Sequence, residues 1–167
     1  MSETSQDSSR RPRLSLLLVV GSLLVAGCGG DDSKQSTAEF TKAATAATSE
    51  TSKIGQDVGE AVTTARTQTD AALESSFGEL TERVRDVVDD LEALDPPDEA
   101  SAKVDALAEA LEGAAEHLDR IAMAAGSSDP EPGRVEAARD AAEKLVGDSP
   151  EIMKANATLK EQLSANE

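Results

Sequence analysis

The chain has 167 residues, room for one domain and an address segment. It carries 33 Asp and Glu against 16 Lys and Arg, and its net charge of −17 repels nucleic-acid phosphates and anionic lipid headgroups. Alanine occurs 28 times and Phe40 and Phe77 are the only aromatics, so aromatic-walled pockets are excluded and the core must be a narrow seam of Leu, Val and Ala.

Residues 1–13 are polar and end in Arg10, Arg11 and Arg13. Leu14 to Ala26 is an apolar run broken by Ser15, Gly21 and Ser22. Thirteen helical residues rise about 20 Å, short of a ~30 Å hydrocarbon core. A basic start, a short apolar run and small residues before a cut describe a secretory signal peptide over 1–27. Its removal leaves 140 residues with a net charge of −18.

Val25-Ala26-Gly27-Cys28 resembles the lipobox of bacterial prolipoproteins: an aliphatic residue, two small ones, then cysteine. The resemblance implies cleavage between Gly27 and Cys28, a diacylglyceryl group on the Cys28 thiol, and Cys28 as the acylated N-terminus. It places the protein on the outer face of the bacterial cytoplasmic membrane, held in the membrane through Cys28. A thiolate suits such alkylation, and two acyl chains anchor stably where one is marginal. Cys28 is the one cysteine, so its acylation leaves no thiol for a disulfide or a metal. Ser9-Arg10-Arg11-Pro12-Arg13-Leu14 partly resembles a twin-arginine export signal, but Arg13 stands where that pattern has an aromatic or leucine. The general secretory route therefore comes first, and both stay open.

Residues 28–36 read as a flexible polar tether, and 37–167 as a helical domain. Ser36-Thr37-Ala38-Glu39 fits a capping box. The first apolar stripe, Phe40, Ala44, Ala47, Ile54, Val58, Val62 and Ala65, is thin and weakened by Gly55 and Gly59. Leu73, Phe77, Leu80, Val84, Val87, Leu91 and Leu94 then step by four and three, a heptad seam. Between Ala65 and Leu73 the register needs an extra step, so residues 37–94 form either one helix or two. A kink near Gly78 is preferred, with Ser76 to Glu79 recapping, which gives helices over roughly 37–75 and 76–94.

Asp95-Pro96-Pro97-Asp98 closes one helix and opens the next, over 97–125, with a seam of Val104, Leu107, Leu111, Ala114, Leu118, Ile121 and Ala125. The short connection makes these two helices an antiparallel hairpin. Residues 91–107, "LEALDPPDEASAKVDAL", are similar to the Leu-x-x-Leu-x-Pro-Pro hairpin of small uncharacterised actinobacterial helical lipoproteins, a likeness that implies no activity. The breakers of 126–133 lead to a short helix, 131–146, through Val135, Ala138, Ala142 and Leu145. Gly147 stops it, and Ser149-Pro150-Glu151 starts a last one over 150–164 with Ile152, Leu159 and Leu163 inward. Valines fall at helical spacing, never in alternation, so the expected fold is all-α: an antiparallel hairpin or bundle with coiled-coil-like seams.

Asp105, Glu109, Glu112, Glu116 and Asp119 form an acidic stripe on the water-facing side of the 97–125 helix. Calcium wants six to eight oxygens converging from several elements, which one straight helix does not supply. A solvated face, with Glu116 and Arg120 as an i,i+4 pair, is the reading preferred. His117 is the one histidine and flanks the seam; no nucleophile elbow, P-loop or dinucleotide fingerprint accompanies it.

The residues thus point to a lipid-anchored envelope protein that acts as a structural or protein-binding helical module, without cofactor, metal or catalytic residues. Its partner would be a second copy, through the heptads, or another envelope protein. The alternative is an acidic module responsive to divalent cations, and an enzyme using His117 stands behind both.

Overall fold

The computed structural model describes residues 35–127 and 132–165. Four helices follow in order: α1 Thr37–Thr64, α2 Asp70–Glu92, α3 Asp98–Ala125 and α4 Pro132–Ala165, with a 3-10 turn at Ala65–Thr67 after α1. No strand occurs among the described residues, and no helix there is long and apolar enough to cross a membrane. Each helix packs on its neighbours in the chain, and α4 closes the ring against α1. The result is an antiparallel four-helix bundle, in a compact unit spanning Lys34–Glu167.

The expected capping box opens α1. Glu39 N–H donates to Ser36 Oγ at 3.3 Å, and Glu39 Oε2 accepts from Ser36 N–H at 3.1 Å and from Ser36 Oγ at 2.8 Å. These bonds, from the Ser36 hydroxyl first, hold the Glu39 carboxyl below its ordinary range. Two donors that α1 would otherwise leave free are satisfied at one stroke.

The α2 and α3 seams pack as the hairpin requires: Phe77, Leu80, Val84, Val87 and Leu91 are buried against Val104, Leu107, Leu111, Ala114 and Leu118. α3 buries a second strip, Ala108, Ala115 and Ala122, one residue on from that seam. It sits between α2 and α4, so it needs two apolar faces, and alanine lets the backbones approach closely. The core cluster runs from Phe40 to Leu163 and draws on all four helices, so the Lys34–Glu167 unit closes its own core.

Three expectations are corrected. The break falls at 65–69 and not near Gly78, which lies inside α2. Gln68 and Thr69 are extended, and Thr69 Oγ1 caps α2 by accepting from Ala72 N–H at 3.3 Å. The segment before it is threonine-rich, and Thr63, Thr64 and Thr67 each donate their hydroxyl to a backbone carbonyl of the preceding turn. Such side-chain bonds compete with the helix ladder and loosen its end. Second, α1 turns Ala61 inward and leaves Val62 44 % exposed, and Thr48 and Thr51 are buried between Ala47 and Ile54.

Third, Pro132–Ala165 is one helix where two, over 131–146 and 150–164, were expected. Pro150 lies in its interior on the exposed side, where its ring removes the donor that the Val146 carbonyl would use. Ser149 Oγ donates to Leu145 O at 3.0 Å on the adjacent turn. Leu145, Ile152, Leu159 and Leu163 stay on one inward face across the proline. Their burial, about 1.5–3 kcal/mol each, outweighs the ~3 kcal/mol that an interior proline costs. Ala141 is buried in this helix, while Val135 is 54 % exposed.

Candidate functional site

Val25, Ala26, Gly27 and Cys28, the expected lipobox, cleavage site and lipid attachment point, lie outside the described residues. Within the bundle, one recess lies between α4 and α1 and another between α4 and α3.

One lies between α1 and α4 over a floor from α2 and α3, with a volume of about 490 Å³. Ile54 and Val58 wall it from α1, Val84 from α2, Leu111 and Leu118 from α3, Leu145 and Ile152 from α4. The α1–α4 seam stays open because small residues face each other there: Gly55 on α1, Ser149 and Ala157 on α4. Met153, 71 % exposed, stands at the rim.

The recess has a polar end. Ser52 Oγ donates to Thr48 O at 3.0 Å and accepts from Asn156 Nδ2 at 3.0 Å and Lys160 Nζ at 2.8 Å. Asn156 is only 7 % exposed, and its Oδ1 finds no hydrogen-bond partner among the described residues. A buried amide oxygen without a donor costs about 1–3 kcal/mol, so this atom wants a ligand or a water. Lys160 is the one charged residue lining the recess.

The other recess is a trough of about 610 Å³ between α3 and α4. Its floor is Ala102, Ala106, Ala110 and Gly113, and Lys103, Glu109, Asp148, Glu151 and Lys154 line its edges. Lys103 Nζ bridges it to Gln162 Oε1 at 2.7 Å. Its edges carry both signs of charge, and its floor of alanine and glycine gives a ligand no side chain larger than a methyl to pack against.

His117 lies above this trough, 12 % exposed, with Nε2 3.3 Å from Asp148 Oδ2. Its Nδ1 is buried without a partner, and no hydroxyl or thiol among the described residues bonds to the ring. The His117–Asp148 contact joins α3 to α4.

The acidic stripe is as expected on one side of α3. Asp105, Glu109, Glu112 and Glu116 are exposed, and Asp119 is half-buried with Oδ1 3.8 Å from Arg85 Nη2. Arg120 and Glu116 pair at 3.4 Å. Among the described residues, no three His, Cys, Asp or Glu side chains converge in a way that could hold a metal ion.

Sequence reasoning missed the α1–α4 recess. Ser52 is 104 residues from Asn156 and 108 from Lys160, and each reads alone as an ordinary polar surface residue. A lysine and an asparagine at i,i+4 on a helix whose next turns are apolar was the available hint. No family model, no curated protein and no solved structure matches this chain.

Proposed function

We propose that the protein is a lipid-anchored helical module on the outer face of the bacterial cytoplasmic membrane, acting by binding and not by catalysis. The observation that carries this reading is the lipobox-like Val25-Ala26-Gly27-Cys28 at the end of a short apolar run, eight residues before the N-cap of a self-closing bundle. Eight residues span at most about 29 Å, so an anchor at Cys28 keeps the bundle within reach of the membrane surface. The bundle's charge favours that geometry: it is strongly acidic and does not lie down on anionic headgroups, so a tether holds it near a surface that repels it.

A protein partner or a second copy is part of the same reading. Val135, Val146 and Met153 are exposed on α4 at spacings of eleven and seven residues, so they line one side of that helix. The divalent-cation alternative has no converging carboxylates among the described residues to support it.

Cys28→Ser in the full chain, followed by separation of membranes from soluble fractions, tests the anchor. The expected result is loss of the processed, membrane-held form. Unchanged membrane retention and processing would overturn it.

A further inference from the structure

The α1–α4 recess has a chemistry that helix packing does not use. Its walls are aliphatic and its single lining charge is Lys160. In a chain with about two acids for each base, that ammonium group forms no ion pair among the described residues. Beside it, the buried Asn156 Oδ1 accepts nothing, and Ser52 cannot help because its proton is already given to Thr48 O. One end of an apolar slot therefore offers an exposed ammonium group beside an amide oxygen that lacks a donor.

We propose that the recess binds a single-chain anionic amphiphile whose head also carries a hydroxyl. The alkyl chain lies against Ile54, Val84, Leu118 and Ile152. The anion pairs with Lys160, and the hydroxyl donates to Asn156 Oδ1. The volume of about 490 Å³ falls in the ~300–1,000 Å³ range of small-molecule sites. Along α4 the lining runs from Leu145 to Lys160, about 22 Å at 1.5 Å per residue, which makes it a slot suited to one extended chain. Met153 at its rim is a flexible thioether that adapts to chain length. A hydroxy fatty acid and a lysophospholipid share this head chemistry. The site does not depend on how the chain is held at the membrane.

The Lys34–Glu167 unit contains two methionines, Met153 at the rim and Met123 near the end of α3. With their methyl groups labelled with carbon-13, the unit is titrated with 3-hydroxymyristate and, separately, with myristoyl lysophosphatidylglycerol, each below its micellar concentration. A saturable shift of the Met153 methyl, with Met123 unmoved, is expected from at least one, and which one responds identifies the source. Lys160→Gln, at an exposed position, should weaken that binding at least tenfold while leaving the helical circular dichroism unchanged. Myristate without the hydroxyl should bind several-fold more weakly than 3-hydroxymyristate if the acid is the ligand. The proposal is overturned if neither probe moves Met153, if both methyls move together as in surface adsorption, or if Lys160→Gln binds like the unaltered chain.

Discussion

Arg83 on α2 grips Glu50 on α1 with two hydrogen bonds, Nη2 to Oε1 at 2.6 Å and Nε to the same oxygen at 3.2 Å. The remaining nitrogen, Nη1, reaches Asp57 Oδ2 at 2.6 Å, about two turns further along α1. These bonds, with Asp57 first and then Glu50, raise the Arg83 pKa, and the Arg83 hydrogen bond holds the Glu50 carboxyl below its ordinary value. Between Phe40 and Ile54, α1 buries only alanine and threonine, so a fork of this kind helps fix its register on α2 where small side chains specify it weakly.

Arg83→Met keeps the apolar stem and removes the fork. Both partners are about a third exposed, so the expected loss is about 1 kcal/mol by urea unfolding at pH 7. Glu50 has a depressed folded-state pKa, so its share of the stability is present above the ordinary value of 4.5 and is lost as pH falls through the lowered one. The difference between the two chains should therefore shrink as the pH is lowered from 7 to 3. An equal difference at both pH values would show that the stem, and not the charge, was at work.

Two helix-interior residues oppose their helices. Gly78 sits inside α2, and a Cβ there would meet nothing within 4 Å. Gly78→Ala should stabilise the bundle by about 0.5–1 kcal/mol through helix propensity. Pro150→Ala should stabilise it further, by up to ~3 kcal/mol, because Val146 O regains a donor. Thermal unfolding followed by circular dichroism checks both. A loss of stability at Gly78→Ala would mean that the chain bends there after all.

Much of the bundle was legible because heptad spacing of large aliphatic residues leaves few alternatives: the α2 and α3 seams and the Pro96-Pro97 turn appear where periodicity places them. α1 was harder because its stripe includes a polar residue. With Thr51 counted, Phe40, Ala44, Ala47, Thr51, Ile54, Val58 and Ala61 step by four and three without interruption. Thr51 Oγ1 donates to Ala47 O at 2.9 Å, and Thr81 Oγ1 likewise to Phe77 O at 2.8 Å, so each hydroxyl is satisfied locally and the methyl faces the core. Gly147 and Pro150 misled in the opposite sense, since local propensity argued for a stop that tertiary burial of Leu145 and Ile152 overrides. The recess and its polar end belong to packing between α1 and α4, of which the local pattern shows only Asn156 and Lys160 at i,i+4.

Thr51→Val should then fall within about 1 kcal/mol of the unaltered protein, because the hydroxyl leaves a carbonyl that keeps its helix bond. Thr51→Asn, which brings an amide the seam cannot satisfy, should cost about 2 kcal/mol or more. Chemical denaturation of the two variants side by side distinguishes a seam residue from a surface one, for which both changes would be nearly neutral.

The anchor is tested most directly by the mass of the mature N-terminal peptide from bacteria producing the full chain. A terminus at Cys28 with a diacylglyceryl group on its sulfur is expected, with complete loss of that species in Cys28→Ser. An unmodified thiol at Cys28, or a mature terminus at any other residue, would contradict it.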